Sequence, residues 1–456
     1  MTRHSPFCSS SINRRGFLRA GAFALGGLSL ADVLQARATA GRERTDTAVI
    51  LLYLHGGPSH LETYDLKPNA PIEYRSVFDP IRTNVPGIDV CEHLPMHARI
   101  ADKFALIRSV RHTMTSHTDG GIEVLTGKTP TRPDPTSTSS SEHPDIGSHT
   151  SRARGYGPDI MPPYVAIPSR LYMITPTYLG AHCGPLNAGD PSQPNYRLNS
   201  ANLPVGVDLQ RLDDRRALRN RFDSLRRNLD INGQFEGTDQ FRSIALQMVT
   251  SRQVSEAFDI QRESPTLRDR YGRDIWGQGC LLARRLAEAG TAVISLMINT
   301  PHVGPEYTNW DDHILNAMRP GHFGSYMSVR LPYYDRALSA LIEDIYMRGL
   351  DRKIMVVAMG EFGRTPRLSS NASGTGRDHW PDAMSVLVSG GGLRMGQVIG
   401  ATNSRGEYPT QRMLSPKDVL ATMYQHLGID PQQAWLDHSG RPHAILSDGA
   451  PIAELG

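Results

Sequence analysis

Residues 353–359, Lys-Ile-Met-Val-Val-Ala-Met, run directly into Gly360-Glu361-Phe362-Gly363-Arg364-Thr365-Pro366-Arg367, and Gly376-Arg377-Asp378-His379-Trp380 follows shortly after. A short β-branched run bounded by Gly and Pro predicts a buried parallel strand that empties into a loop. In open α/β sheets, ligands and reactive side chains gather at the carboxyl ends of such strands. This end carries one carboxylate, several arginines and an Asp-His pair. Carboxylate and imidazole suit a divalent metal, and arginine suits a bound oxyanion.

Similar strand-like runs recur at 48–54, 104–110, 164–167, 292–298 and 385–388. Between them lie helical patterns at 213–229, 241–260, 274–289, 329–348 and 416–427. The third and fourth stop at Gly290 and Gly349, and the last opens on Pro416 with Ser415 as its cap. Strands alternating with helices of this length predict an α/β fold: a doubly wound, mostly parallel sheet with helices on both faces. The stretches 129–151, dense in Pro, Ser and Thr, and 185–204, dense in Pro, Asn and Gly, read as long ordered loops.

Three more strand ends carry candidate chemistry. The first is followed by His55-Gly56-Gly57-Pro58-Ser59-His60, where paired glycines allow a sharp turn and a close backbone approach. After the second comes Ser116-His117-Thr118, with arginines at 108 and 111 and a further histidine at 112. A hydroxyl at a helix start beside a base is a candidate nucleophile, although such hydroxyls also serve as plain helix caps. Beyond the strand at 292–298 lies Asn309-Trp310-Asp311-Asp312-His313, flanked by His302 and His322. Asp311 and His313, two residues apart, can both face one ion. If these strands are parallel, all four clusters meet on one edge of the sheet. The expected metal ligands are His55, Asp311, His313, Glu361, Asp378 and His379. Ser116, His117, Thr118, Arg364 and Arg377 are the expected catalytic groups. A pair of divalent ions about 4 Å apart, polarising an ester oxygen, would need such a set.

The amino terminus reads as a leader. Asn13-Arg14-Arg15-Gly16-Phe17-Leu18 precedes a mildly apolar stretch at 20–34, and Ala36-Arg37-Ala38-Thr39-Ala40 supplies small residues for cleavage. The paired arginines resemble a twin-arginine signal, so the expectation is export to the periplasm or cell envelope, with no membrane span left after cleavage at about residue 40. Without residues 1–40, Lys plus Arg falls from 49 to 44 and Asp plus Glu from 46 to 45, so the formal charge moves from +3 to −1. A near-neutral body gives no reason to expect nucleic acid as a partner. Cys91, Cys183 and Cys280 are far apart and form neither a disulfide framework nor a zinc-thiolate spacing, with one bridge left open.

These motifs resemble those of the domain-of-unknown-function 1501 family of exported bacterial proteins. The resemblance rests on Gly56-Gly57-Pro58-Ser59-His60, Leu125-Thr126-Gly127, Trp310-Asp311-Asp312-His313, Gly360-Glu361-Phe362-Gly363-Arg364-Thr365-Pro366 and Gly376-Arg377-Asp378-His379-Trp380. More distantly the layout is similar to the alkaline phosphatase and sulfatase superfamily. That resemblance implies one alkaline phosphatase-like α/β domain over 41–456, with Asp311, His313, Glu361 and His379 holding one or two divalent ions such as zinc, manganese or calcium. It implies hydrolysis of phosphate or sulfate esters of small molecules or glycans. The alternative is a non-catalytic scaffold that binds an envelope partner. The chain departs from the superfamily pattern at His55, where an acidic ligand is usual, and in the two-residue spacing of Asp311 and His313.

Overall fold

The computed structural model describes residues 46–156, 160–198, 251–301, 309–316, 319–320, 323–372 and 374–456. The expected leader at 1–40, the helical pattern at 213–229, His302 and His322 lie outside the described residues, as do 199–204 of one expected loop.

Among the described residues eight strands, labelled in chain order, form the central sheet: β1 (Ala48–Tyr53), β2 (Phe104–Val110), β3 (Tyr164–Ile167), β4 (Leu186–Asn187), β5 (Val293–Met297), β6 (Ile354–Met359), β7 (Met384–Gly390) and β8 (Gln397–Ile399). Their order is β8-β2-β7-β6-β1-β5-β3-β4. All pairings are parallel except those of β7, which runs against both β6 and β2. Two reversals return β2 to the direction of β1, β5 and β6. The carboxyl ends of those four strands therefore share one edge, which is what brings the sequence clusters together.

The strands read as unbroken apolar runs because both faces are covered. Along β1, Ile50 and Leu52 join one buried cluster, while Val49, Leu51 and Tyr53 join the other. Helices α3 (Ile275–Glu288) and α4 (Phe323–Met347) pack on the first face; α1 (His117–Thr126), α2 (Ile146–Arg154) and α5 (Pro416–His426) pack on the second. Among the described residues no helix is long and apolar enough to cross a membrane.

Two expectations need correction. The polar stretch 129–151 is not loop throughout: Asp145 accepts from the Ser148 amide and starts α2. Its low apolarity hid it, because the buried face includes Gly147, which lies flat on the Tyr164 ring. Helix α4 begins six residues before 329 and runs through Pro332, since Met327, Leu331, Tyr334 and Leu338 keep one stripe buried. The three described cysteines are buried and free, so no bridge forms among them.

Candidate metal centre

Each strand end delivers its side chain through a different local device. After β1, Gly56 adopts φ +116° and the Trp310–Asp311 backbone crosses directly over it, so that a Cβ there would overlap the Asp311 nitrogen. The Trp310 amide donates to the His55 carbonyl (3.1 Å), and its buried indole donates to the Ile298 carbonyl (2.9 Å) and stacks on Trp276. Anchored in this way, residues 311–313 alternate: Asp311 and His313 face inward, while Asp312 turns away to the buried Arg330 at 2.5 Å. After β2, Ser116 caps α1 by accepting from the Asp119 amide, which places His117 at the first position of the helix. After β6, residues 363–364 pair antiparallel with 379–380, setting Arg364 opposite His379.

The side chains converge on Asp311. Its Oδ1 lies 2.9 Å from His313 Nε2, 3.1 Å from His379 Nε2 and 2.6 Å from Arg364 Nη2, and its Oδ2 lies 3.2 Å from His117 Nε2. The Nε2 atoms of His313 and His379 are 3.0 Å apart. His117, Asp311 and His379 satisfy the geometry of a metal-holding group. Ligand atoms around a tetrahedral ion at 2.0–2.1 Å stand about 3.3 Å apart, close to these separations.

The other ring nitrogens each face an acceptor. His117 Nδ1 donates to Glu361 Oε1 (2.7 Å), His313 Nδ1 to Asp378 Oδ1 (2.7 Å) and His379 Nδ1 to the Thr115 carbonyl (2.6 Å). Each acceptor lacks a hydrogen to give, so a ring that gives up its Nε2 proton keeps one on Nδ1 and would then turn an Nε2 lone pair toward Asp311. In the ion-free site the imidazoles can donate to Asp311; with those protons gone, three lone pairs and a carboxylate could hold a cation between them. Histidine ligands held by a carboxylate or carbonyl at the far nitrogen are the usual surroundings of such an ion.

In the ion-free site the same contacts favour charge on the imidazoles and on Asp311. Burial works against charge on His117, but hydrogen bonds to Asp311 and Glu361 outweigh it and raise its pKa to about 9. His313 is raised by its hydrogen bond to Asp311, whereas burial, with Arg364 and His117 close by, lowers His379. Burial opposes ionisation of Asp311, yet hydrogen bonds from the three imidazoles and the Arg364 charge hold it far below the usual carboxylate range. Glu361 is fully buried but still lowered, by His117 and His55. The side chains of His117, Asp311, His313 and His379 are 18–31 % exposed, so the centre is reachable from solvent.

The expected site residues separate into three groups. Asp311, His313 and His379 come together as anticipated, and His117, expected among the catalytic groups, joins them as a fourth side chain on the same centre. Glu361 and Asp378 stand behind histidines, at Nδ1. His55 lies beside the cluster, its buried Nδ1 3.7 Å from Glu361 Oε1. Glu361 Oε2, His55 Nδ1 and the Tyr53 hydroxyl are buried without a hydrogen-bond partner among the described residues. The third group is spent elsewhere. Arg364 donates to the Gly56 and Gly57 carbonyls and to Asp311, which makes it a brace for Asp311 rather than a free anion holder. Arg377 is fully buried against Glu62 (2.9 Å) and the carbonyls of Arg75, Thr365 and Pro366, so it is not brought to the cluster at all. Ser116 acts as a helix cap, and the buried Thr118 hydroxyl points to Tyr172. Sequence reading missed Tyr172, which carried no motif of its own. A cavity of about 1040 Å³ opens elsewhere, beside Pro95, Asp274, Pro332 and Tyr333, and none of the converging side chains lines it.

A family model described as "Protein of unknown function (DUF1501)" matches residues 46–455. No curated protein matches the chain. Among solved structures, the chain is similar to the PsFucS1 sulfatase from Pseudoalteromonas sp. (11% identity, TM-score 0.39, covering 88% of this chain and 70% of that one). It is also similar to the lipoteichoic acid synthase LtaP from Listeria monocytogenes (10%, 0.35, 89% and 76%) and to the phosphonate monoester hydrolase SpPMH from Silicibacter pomeroyi (11%, 0.36, 85% and 74%).

Proposed function

We propose, from the premise that the chain belongs to the DUF1501 family, that it is an exported metal-dependent hydrolase of phosphate or sulfate esters. The observation that carries the reading is the convergence of three Nε2 atoms on Asp311, each ring held from behind by an acceptor at Nδ1. Three imidazoles and one carboxylate favour zinc, manganese or iron over calcium, which prefers an all-oxygen shell. A divalent ion held there would supply Lewis-acid polarisation of an ester oxygen and make a water molecule more acidic.

The chain's own groups do the rest. Ser116 and Thr118 are committed to structural hydrogen bonds, so water is the nucleophile in this reading. His55 is the acid–base group, with Glu361 beside its buried nitrogen. Arg364 keeps Asp311 charged and oriented. Export through the twin-arginine route to the periplasm or cell envelope belongs to the same proposal; fusing residues 1–40 to a reporter that folds before export tests it.

The deciding experiment is elemental analysis of protein isolated after export, with turnover of aryl phosphates and aryl sulfates. Near-stoichiometric transition metal and turnover, both lost in His379→Ala with circular dichroism unchanged, is the expected result. Among the described residues, Ser116, Thr118 and Arg364 are all engaged in structural hydrogen bonds, which favours a second reading, a scaffold that binds a glycan or an envelope partner without catalysis. Metal-free, folded protein that ignores added ions and cleaves neither ester would select it.

A further inference from the structure

We propose that Tyr172 is a further catalytic residue of this site, its phenol donating a hydrogen bond to an oxygen of the bound phosphate or sulfate group; the inference rests on the hydrolase reading above. Tyr172 is 42 % exposed, whereas Leu171 and Met173 on either side are buried. Its ring meets His55 edge-on with centroids 5.6 Å apart, and the His55 ring lies 5.8 Å from that of His117. The phenol therefore stands one ring away from His117, and the charges of Glu361 and Asp311 act on it.

Its placement is held by α1. The helix carries glycine at 121, where a Cβ would press on Met173 and on the Tyr53 hydroxyl, so the 171–173 segment lies directly against it. The Ser141 amide fastens the same segment by donating to the Met173 carbonyl at 2.7 Å. Thr118, completely buried, donates its hydroxyl to the Tyr172 oxygen at 3.4 Å. A phenol oxygen that already accepts keeps its own proton for another acceptor.

The charge balance of the cleft explains why a phenol serves here. Asp311 and Glu361 are anionic, and Arg364 is consumed by Asp311 and two carbonyls. Among the described residues, an entering anionic oxygen thus finds no arginine left free at the cluster. A neutral donor aimed at it supplies a preorganised hydrogen bond without adding charge beside the ion.

The test compares metal-loaded wild type, Tyr172→Phe and Thr118→Val. Metal content is read by elemental analysis, inorganic phosphate binding by calorimetry, and turnover on a series of aryl phosphates. Tyr172→Phe is expected to keep its metal, bind inorganic phosphate about tenfold or more weakly and lose roughly a hundredfold in kcat; Thr118→Val moves both in the same direction by less. Equal phosphate binding by wild type and Tyr172→Phe overturns the donor role even where esters are cleaved. Tyr172-dependent phosphate binding by a protein that cleaves no ester supports the donor role and sinks the hydrolase reading instead.

Discussion

Glu361 Oε1 sits 2.7 Å from His117 Nδ1, and this one contact decides which nitrogen of the ring faces Asp311. The same oxygen accepts the Gly56 amide at 2.8 Å, so the carboxylate also ties the end of β1 to the loop after β6. Replacing Glu361 with Gln keeps an acceptor but removes the charge that fixes the tautomer. Metal affinity, read by competition with a chelator, should fall about 10–100-fold. Unchanged affinity would place Glu361 outside the centre's support.

Asp311 is the partner of a buried arginine as well as the hub of the cluster. Asp311→Ala leaves Arg364, completely buried, with only carbonyls around it. The loss should be about 3–5 kcal/mol in the metal-free protein, measured by denaturant unfolding. Asp311→Ala with Arg364→Met should recover much of it, since the unpaired charge goes too.

Arg377 and Glu62 form a fully buried ion pair whose side chains make no hydrogen bond to the converging histidines. Either residue changed to Ala should destabilise the fold by about 3–5 kcal/mol. Turnover per folded molecule and metal content should stay at the wild-type level. Loss of turnover in a folded Arg377→Met protein would restore Arg377 to the catalytic set.

Gly376 lies where a Cβ would run into the His313 and Ile314 backbone. Gly376→Ala should therefore push His313 off the centre and weaken metal binding at a cost of about 1–3 kcal/mol in stability. Gly155→Ala, where nothing stands near the added carbon although φ is +62°, controls for a glycine change that leaves the cluster alone. Equal metal affinity in the two variants would contradict this account.

Burial, with Lys128 and His143 nearby, holds His149 down to about 3, and burial holds His112 down to about 4. Both bind a proton more readily once unfolded, where 6.5 is the ordinary value. Their contribution is complete above about pH 6.5 and is lost as pH falls toward 4 and then 3. The urea midpoint should drop across that window, and His149→Gln should flatten the drop. A profile level from pH 7 to 4 would contradict it.

Much of the architecture was legible beforehand. The runs at 48–54, 104–110, 164–167, 292–298 and 354–359 are strands within a residue or so, because parallel strands buried on both faces leave a continuous apolar signature. Helix α2 was missed because Gly147, Ser148 and His149 bury a face with no apolar period to announce it. At the cluster, Asp311 and His313 do face one centre, through tight turns in which the Asp312 amide donates to the Trp310 carbonyl and the His313 amide to the Asp311 carbonyl.

What the linear chain determined alone was composition and period: which runs become strands, where each one ends, and that imidazoles and carboxylates follow those ends. What only the folded chain decided was the use of each polar side chain. Arg364, Arg377, Ser116 and Glu361 look equally available along the sequence, yet burial gives each one a partner hundreds of residues away or at its own helix start. A buried charge or donor must be satisfied wherever the tertiary packing places it, and that demand is set by neighbours that primary order does not reveal.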